Sequence, residues 1–247
     1  MLIVEIEKIL RQAGEIILNA DYSEIDANEK DGHANFVTNY DRKVQSFLKN
    51  ELLKLEKDAS FIGEEGEMGN INKQGLTFIV DPIDGTTNFI KNLKHSAISV
   101  GVLKDGEPYI GCVYNPYLNE MFGAQKGLGS FVSGKKIHVS NKPLNEGLVI
   151  FGTSPYYDEY KDLTFKTAYE YYNKALDIRR SGSAALDLCY VAAGRYELFF
   201  EYCLSPWDYA AASIIITEAG GVIRRMDNKE LRFDEPCGII AHNGLCE

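Results

Sequence analysis

The chain has 247 residues, of which 45% are hydrophobic and 25% are charged, and its formal net charge is −10. This length suits one large domain or two small ones, and the composition is that of an ordinary soluble globular protein. The acidic balance and the lack of a Lys/Arg block exclude nucleic acid and anionic membranes as main partners, since both bind a basic face.

The thiols and the N-terminus indicate the compartment. The five cysteines are scattered and form no C-x-x-C pair, which predicts reduced thiols, and the four histidines show no zinc spacing. Glu5, Glu7 and Lys8 interrupt the first apolar run, which excludes a signal peptide, and no apolar run is long enough to span a membrane. We therefore expect a soluble, cytoplasmic protein.

Two amphipathic helices are predicted at the start of the chain. Apolar residues recur at helical spacing over residues 2–17 and again over residues 40–55. A polar loop that contains Lys30, Asp31 and Gly32 separates them, and we expect it to form a mobile flap.

Strands follow these helices. Residues 76–80 form a short apolar run that ends at Asp81, which predicts a buried strand. From Ser96 onward the pattern is that of hairpins: two strands joined by an Asp105-Gly106 turn, then further strands with glycine-rich turns up to residue 140.

The last hundred residues alternate between strand and helix patterns, which is typical of an α/β unit. The predicted elements are strands at 147–154, 175–181, 196–201 and 221–227 and helices at 158–174, 183–194 and 206–220. We place a boundary near residue 143, with an N-terminal α+β half over residues 1–143 and a C-terminal α/β half over residues 144–247. The fold class is mixed α/β (α+β).

One segment, DPIDGTT at residues 81–87, combines carboxylates with a helix start. A strand delivers Asp81 to its end, Pro82 forces the chain to turn, and Asp84 falls on the same side as Asp81. The residues from Gly85 onward can begin a helix whose free N–H groups bind an anion. Carboxylates for hard cations beside a phosphate-binding helix start predict a phosphoryl-transfer site.

Each acidic segment also has a purely structural explanation. Asp84 can cap a helix after an Asx turn, Glu64 and Glu65 can be solvated loop acids, and Asp208 can sit in the first turn of a helix that begins at Pro206. The ordered combination of these acids, with no histidine or cysteine ligands, instead favours an oxygen-only Mg²⁺ site.

Five segments occur in an order typical of one enzyme family, and they are NFVTNYD, FIGEEG, DPIDGTTNFI, RRSGSAALDLCYVAAG and PWDYAAASIIITEAGG. With them the chain resembles the inositol monophosphatase family, part of the lithium-sensitive, Mg²⁺-dependent sugar phosphatase superfamily with a fructose-1,6-bisphosphatase-like fold. The similarity runs from about residue 35 to residue 241, and five motifs are far more specific than one. The resemblance implies a layered αβαβα sandwich with the active site between its halves.

The resemblance also implies roles for the acids. Glu64 would bind a metal and orient the attacking water, and Asp81 would bridge two metals with the Ile83 carbonyl completing one coordination sphere. Asp84 and Asp208 would hold the second metal. Two or three Mg²⁺ ions are expected, with Mn²⁺ as a substitute and Li⁺ as an inhibitor.

Further residues would bind substrate or move protons. The Thr86 hydroxyl, paired with Asp41, would help to deprotonate the water, so that Glu64, Thr86 and Asp41 form the catalytic set. The substrate-binding residues implied by the resemblance are Asp84, Gly85, Thr86, Gly182, Ser183, Ala184, Glu201 and Asp208.

These features predict an enzyme that hydrolyses a small phosphate monoester, with inositol 1-phosphate as the first candidate. No Ser, Cys or His nucleophile has an evident partner, so attack by metal-activated water without a phosphoenzyme is favoured. Alternatives are a fructose-1,6-bisphosphatase, a 3′-phosphoadenosine 5′-phosphate phosphatase, a histidinol-phosphate phosphatase and, from a different class, a non-catalytic regulatory member of the family. Family members are commonly homodimers, which makes a homodimer an expectation here.

Three basic residues near these motifs have open roles. Arg179 and Arg180 can contact a second phosphate or a carboxylate of the substrate, although an ion pair at a strand end is the favoured explanation. His95 can reach the same cleft, although a lone histidine is more often structural, and we assign it no role.

Overall fold

The computed structural model describes residues 1–29, 36–66 and 69–246. The predicted flap at Lys30, Asp31 and Gly32 lies outside these residues. The helices are α1 (Leu2–Leu18), α2 (Asn39–Leu55), α3 (Thr86–Ile90), α4 (Lys161–Tyr172), α5 (Ala184–Ala192) and α6 (Pro206–Glu218). The strands are β1 (Ala27–Glu29), β2 (Phe36–Thr38), β3 (Ser60–Gly63), β4 (Leu76–Asp84), β5 (Ala97–Lys104), β6 (Glu107–Asn115), β7 (Glu120–Gln125), β8 (Gly129–Val132), β9 (Lys135–Ile137), β10 (Leu148–Phe151), β11 (Asp177–Arg179), β12 (Leu198–Leu204), β13 (Val222–Arg225) and β14 (Cys237–His242).

The first two helices cover one face of a seven-stranded sheet in the order β3-β4-β5-β6-β7-β8-β9. The sheet is antiparallel apart from the parallel pair β3–β4. Helix α1 packs on it because Ile6, Leu10, Ala13 and Ile17 recur at helical spacing and are fully buried. The predicted helices over residues 2–17 and 40–55 are confirmed.

A second, mixed sheet has five strands in the order β11-β10-β12-β14-β13. Helix α4 packs against β10 and β11, whereas α5 and α6 pack between the two sheets. Helix α6 is apolar on all sides, with Ala210, Ala211 and Ile215 buried, as expected for a helix covered by a sheet on each face. The layers are therefore helix, sheet, helix, sheet, helix, which confirms the predicted αβαβα sandwich.

Two glycines let α6 approach the larger sheet closely. A Cβ atom at Gly101 on β5 would lie 2.9 Å from the Ala211 nitrogen, and one at Gly111 on β6 would overlap the Ala211 carbonyl oxygen. Real Cβ atoms do not come this near to backbone, so glycine is required here. These contacts place the helix that carries Asp208 directly on β6 and on β5, the neighbour of β4.

The structure corrects the predicted end of the strand at residue 80. Strand β4 continues through Pro82 to Asp84, with a register irregularity between Asp81, which faces Ser99, and Asp84, which faces Ala97. A bulge of this kind tolerates proline, because the missing N–H is not needed for the ladder.

Strands β1, β2, β3 and β14 were not predicted from the sequence, whereas the Asp105-Gly106 turn between β5 and β6 is confirmed. The predicted boundary at residue 143 falls between the strands of the two sheets, and the division into two units stays a prediction. Within the described part of the chain, no helix combines the length and the apolar character needed to cross a membrane.

Candidate active site

Asp81 and Asp84 lie at the end of β4 and are buried, with 2% and 7% of their surface exposed. The Asp81 carboxylate accepts the Ile83 N–H at 3.0 Å, which fixes the bulge from within. Both side chains line the same cavity. The bulge therefore turns two carboxylates that are three residues apart toward one site.

Asp84 is held by the start of α5. Its carboxylate accepts the Ser183 hydroxyl and the N–H groups of Ala184 and Ala185, the last two at 3.2 and 3.0 Å. The N-terminus of a helix favours negative charge, so α5 fixes the orientation of this carboxylate. A residue from the first half of the chain is thus anchored by the second half.

Asp208 reaches the site from the first turn of α6. It accepts the Ser205 N–H at 2.7 Å as part of a capping box, which fixes its rotamer. Carboxylate oxygens of Asp81, Asp84 and Asp208 all lie within 4.8 Å of one another. The structure therefore brings together three of the predicted metal ligands.

Burial, and for Asp81 and Asp208 also the neighbouring negative charges, raises the pKa values of this acidic cluster. Burial raises the pKa of Asp81 well above 3.8, and the charges of Glu64, Asp84 and Asp208 raise it further. Burial also raises the pKa of Asp208, with added contributions from Asp84 and Glu64. For Asp84, burial raises the pKa to about 6, although the donors on α5 oppose this effect. Buried oxygen ligands that repel one another are suited to a hard divalent cation.

Glu64 follows β3, and its N–H donates to the Val80 carbonyl at 3.1 Å, which ties it to β4. Its side chain lines the cavity and hydrogen-bonds to Asp81. Glu65 does not line this cavity, and its N–H donates to the Gln45 side chain at 2.9 Å. The first of the two glutamates is therefore the one placed at the acidic cluster.

Thr86 connects the cavity to a buried aspartate. Its hydroxyl lies 3.2 Å from the Asp41 carboxylate and 3.0 Å from the Ile83 carbonyl. Asp41 is fully buried behind the cavity wall and accepts the N–H and the hydroxyl of Thr38, at 2.7 and 2.5 Å. Burial raises the pKa of Asp41, with Thr38 opposing. The Thr86–Asp41 pair can therefore accept a proton from a group in the cavity.

Gly85 is the residue immediately before α3, and it has a left-handed backbone conformation with φ of 86°. Its carbonyl accepts the Ser96 hydroxyl at 3.0 Å, and a Cβ atom here would lie 3.0 Å from the Gly182 carbonyl. A side chain is thus disfavoured by both conformation and space. Gly85 and Thr86 line the cavity beside the acids, where the backbone can approach an anion.

Gly182, Ser183 and Ala184 also line the cavity, in the loop that leads into α5. Asn88 fixes this loop by donating to the Ser181 carbonyl at 3.1 Å. The Ser181 hydroxyl donates to Asp187 at 2.5 Å. Helix α3, which follows β4, and the loop before α5 are therefore tied together.

Glu201 is buried in β12 and faces the cavity, with 7% of its surface exposed. It accepts the Ser154 N–H at 2.7 Å. Burial raises the pKa of Glu201 to about 7, although the Ser154 N–H opposes this. A Cβ atom at Gly152 would overlap the carboxylate, so the glycine makes room for it. The Glu201 carboxylate has further oxygen lone pairs that can accept a hydrogen bond from a hydroxyl group.

The cavity formed by these elements has a volume of about 680 Å³. All of the predicted site residues line it except Asp41, which contacts it through Thr86. Sequence reasoning missed Asp187 and Tyr156, which also line it, and left the role of Arg180 open. A charged residue within the apolar run ALDLCYVAA was the available signal for Asp187. His95 packs against the Tyr190 ring, at 6.2 Å between centroids, and is not among the described lining residues.

Comparisons with known proteins show which family the chain resembles. Its sequence matches the profile of the inositol monophosphatase family over residues 2–246. It is 38% identical over 221 residues to Nus factor SuhB of Escherichia coli (strain K12), a match that covers 86% of this chain and 80% of the relative. It is 36% identical over 240 residues to the fructose-1,6-bisphosphatase/inositol-1-monophosphatase of Thermotoga maritima, covering 96% of this chain and 90% of the relative.

A solved structure gives the same result. The extragenic suppressor protein suhB from Bartonella henselae superimposes with a TM-score of 0.90 at 32% identity, covering 96% of this chain and 92% of that one. The profile match over nearly the whole chain and relatives above 30% identity agree with the acidic cluster described above. The chain belongs to the inositol monophosphatase family.

Proposed function

We propose that the chain is a Mg²⁺-dependent phosphatase of small phosphate monoesters, with inositol 1-phosphate as the first candidate substrate. The observation that carries the proposal is the group of three carboxylates within 4.8 Å of one another, beside the start of α3. Cation ligands and backbone N–H groups then face one cavity, as phosphoryl transfer requires.

The residues present fit Mg²⁺. The donors around the cluster are carboxylate oxygens of Asp81, Asp84, Asp208 and Glu64 and the carbonyl oxygen of Ile83, with no histidine or cysteine among them. Such oxygen donors suit Mg²⁺ or Mn²⁺, and burial together with neighbouring negative charges raises the pKa values of Asp81 and Asp208, an unfavourable effect that cations would relieve. When bound, two or three Mg²⁺ ions would neutralise the carboxylates, bind phosphate oxygens and activate water.

The chain itself supplies orientation and proton transfer. Thr86 and Asp41 form the base relay, because Thr86 lines the cavity and the aspartate that its hydroxyl contacts has a raised pKa. The N–H groups of Gly85 and Thr86 would hold the phosphate. Attack by water is favoured over a phosphoenzyme, because no Ser–His or Cys–His pair lines the described part of the cavity.

The other end of the cavity would bind the alcohol. Glu201 would accept a hydrogen bond from a hydroxyl of the substrate, and Gly182 to Ala184 would contact its carbon skeleton. Carboxylates that accept hydroxyl hydrogen bonds favour a polyol over an apolar alcohol. This supports inositol 1-phosphate and keeps a sugar phosphate, a nucleotide such as 3′-phosphoadenosine 5′-phosphate and histidinol phosphate as alternatives.

Purified protein assayed with Mg²⁺ against a panel of phosphate monoesters tests the proposal. We expect hydrolysis with the largest kcat/KM for a polyol phosphate, and loss of turnover in Asp84→Asn with an unchanged circular dichroism spectrum. In H₂¹⁸O, a single turnover should place the label in phosphate. A trapped phosphoprotein, or wild-type turnover in Asp84→Asn, would contradict the mechanism.

A second candidate is a binding role without catalysis, and the name Nus factor carried by the SuhB relatives is the observation that favours it. A complementation experiment in a deletion strain distinguishes the two candidate functions. Asp84→Asn should complement any phenotype of a deletion strain if the chain acts by binding, and should fail to complement it if catalysis is required. A cytoplasmic location and a homodimer stay predictions of the sequence.

A further inference from the structure

A turn over residues 154–157 contributes aromatic side chains to a cavity that six carboxylate side chains also line. The Tyr157 N–H donates to the Ser154 carbonyl at 3.0 Å, which closes a four-residue turn after β10. Pro155 has the second position of this turn, where its fixed φ is favoured, and Tyr156 has the third. Pro155, Tyr156 and Tyr157 all line the cavity. The turn therefore places two tyrosines in the cavity wall.

Ser154 anchors this turn beside Glu201. Its N–H donates to the Glu201 carboxylate at 2.7 Å, and its hydroxyl accepts the Cys203 N–H at 2.9 Å and donates to the Cys203 carbonyl at 3.1 Å. Ser154 is buried and has φ of 40°, a conformation that a non-glycine residue adopts only where the surroundings hold it. Two residues span at most about 7 Å, so the backbone of Tyr156 is fixed close to Glu201.

The two tyrosines of the turn differ in their surroundings. The Tyr157 ring packs against Tyr160, at 6.1 Å between centroids, and Tyr160 stacks on Tyr202 of β12 at 5.9 Å. Tyr156 has no ring partner in the described part of the chain, and 46% of its surface stays exposed although it lines the cavity. Tyr157 thus braces the turn on β12, whereas the ring of Tyr156 is open to a ligand.

The electrostatics place the Tyr156 phenol between the two ends of the cavity. Burial raises the pKa of Tyr156, and the charges of Glu64, Asp208 and Glu201 raise it further. Such charge effects weaken with distance, so the phenol is near the acidic cluster and near Glu201. A substrate with its phosphate at the cluster and a hydroxyl at Glu201 would therefore pass the Tyr156 ring.

We propose that Tyr156 is a specificity-determining residue, whose ring packs against the carbon ring of the leaving alcohol. The proposal rests on the proposed phosphatase function, and it identifies the part of the cavity that selects phosphates of cyclic polyols over those of short open-chain polyols. The C–H face of a cyclic polyol is apolar, and an aromatic ring offers it a large contact area at a low entropic cost. A short open-chain alcohol still reaches Glu201 through its hydroxyls but covers little of the Tyr156 ring.

Inositol 1-phosphate and glycerol 2-phosphate are matched substrates for this test. Both carry one phosphate on a secondary alcohol, and both have hydroxyls for Glu201. We expect Tyr156→Ala to raise KM for inositol 1-phosphate about tenfold with kcat nearly unchanged, and to change KM for glycerol 2-phosphate less than about twofold. Tyr156→Phe keeps the ring, so both KM values should stay within about twofold of the wild type.

Tyr172→Ala is the matched control and should change neither KM value. Tyr172 is 53% exposed on α4 and is not among the described residues that line the cavity. Equal losses for both esters in Tyr156→Ala would show that the variant disturbs Ser154 and Glu201, and would overturn the proposal. No loss for inositol 1-phosphate, or a loss in Tyr156→Phe as large as that in Tyr156→Ala, would overturn it as well.

Calorimetric titration of the same esters with Ca²⁺ in place of Mg²⁺ separates this proposal from the phosphatase function. If the wild type binds the esters but hydrolyses neither, the phosphatase proposal fails. A selective loss of inositol 1-phosphate binding in Tyr156→Ala, of about tenfold, would then still support the role of the ring. A wild type that binds neither ester, or that binds both equally, would overturn that role.

Discussion

Asp84→Asn removes one charge from the buried cluster, and its effect on stability without metal tests the electrostatics of the site. Burial raises the pKa of Asp84 from 3.8 to about 6, and a rise of that size corresponds to about 3 kcal/mol. The folded chain thus binds the Asp84 proton more tightly than the unfolded chain does. The contribution of this carboxyl group to stability is full below about pH 4 and is lost as the pH rises through about 6.

At pH 7 in EDTA, the asparagine variant is therefore expected to be more stable than the wild type. The amide no longer carries the charge, and the pKa of about 6 already includes the opposing hydrogen bonds that Ser183, Ala184 and Ala185 donate to the carboxylate, so their weakening adds no separate cost. A gain of about 3 kcal/mol would raise the unfolding temperature of a chain of this size by about 6–12 °C. The gain should shrink toward zero near pH 4, where the wild-type carboxyl group is protonated.

Differential scanning calorimetry across pH 4–7 measures the difference in unfolding temperature between Asp84→Asn and the wild type. The same measurement with added Mg²⁺ is a second test. Ion at about 100 times its Kd stabilises the folded wild type by about 2.7 kcal/mol, and we expect a smaller effect in Asp84→Asn. Asp177→Asn is the control, since that aspartate pairs with Arg179 on the surface, and it should leave the unfolding temperature nearly unchanged. An Asp84→Asn variant that is no more stable than the wild type at pH 7, with an unchanged response to Mg²⁺, would refute the reasoning.

Three further substitutions test other parts of the cavity. Thr86→Ala breaks the proton relay and should lower kcat about 10²- to 10⁴-fold with little change in KM, whereas an unchanged kcat would remove this residue from the mechanism. Gly85→Ala places a side chain at φ of 86° and 3.0 Å from the Gly182 carbonyl, and urea unfolding should show a loss of about 1–3 kcal/mol. Gly152→Ala displaces the Glu201 carboxylate, so KM for inositol 1-phosphate should rise about tenfold while KM for p-nitrophenyl phosphate, which has no hydroxyl for Glu201, stays constant.

Much of the fold is predictable because its long elements have strong patterns. Helix α1 has an unbroken apolar stripe, and the Asp105-Gly106 turn has φ of 56° and 89°, which these residue types accept. The four strands that were missed are short: β1 and β2 have three residues each, β3 has four and β14 has six. Their pairing depends on neighbouring strands that are distant in the sequence, so local pattern carries little information about them.

The site was predictable in its residues more than in its geometry. Asp81 and Asp84 share one segment, but their approach to Asp208 depends on the packing of α6 onto the larger sheet, which no local pattern specifies. The two neighbouring arginines show the same limit. Alternation along β11 puts Arg179 on the same face as Asp177, which explains their pairing, but only the fold shows that Arg180 faces a cavity.

The position of α6 between the two sheets has a consequence for synthesis of the chain. Strand β4 emerges from the ribosome long before Asp208 on α6 and β14, the last strand of the smaller sheet. Contacts between segments so distant in sequence form late in folding. A nascent chain would hold Asp81 and Asp84 for more than a hundred residues of translation without the third carboxylate. Tight metal binding would therefore begin only after α6 has been synthesised, and a ribosome stalled before residue 208 would carry a chain without a complete site.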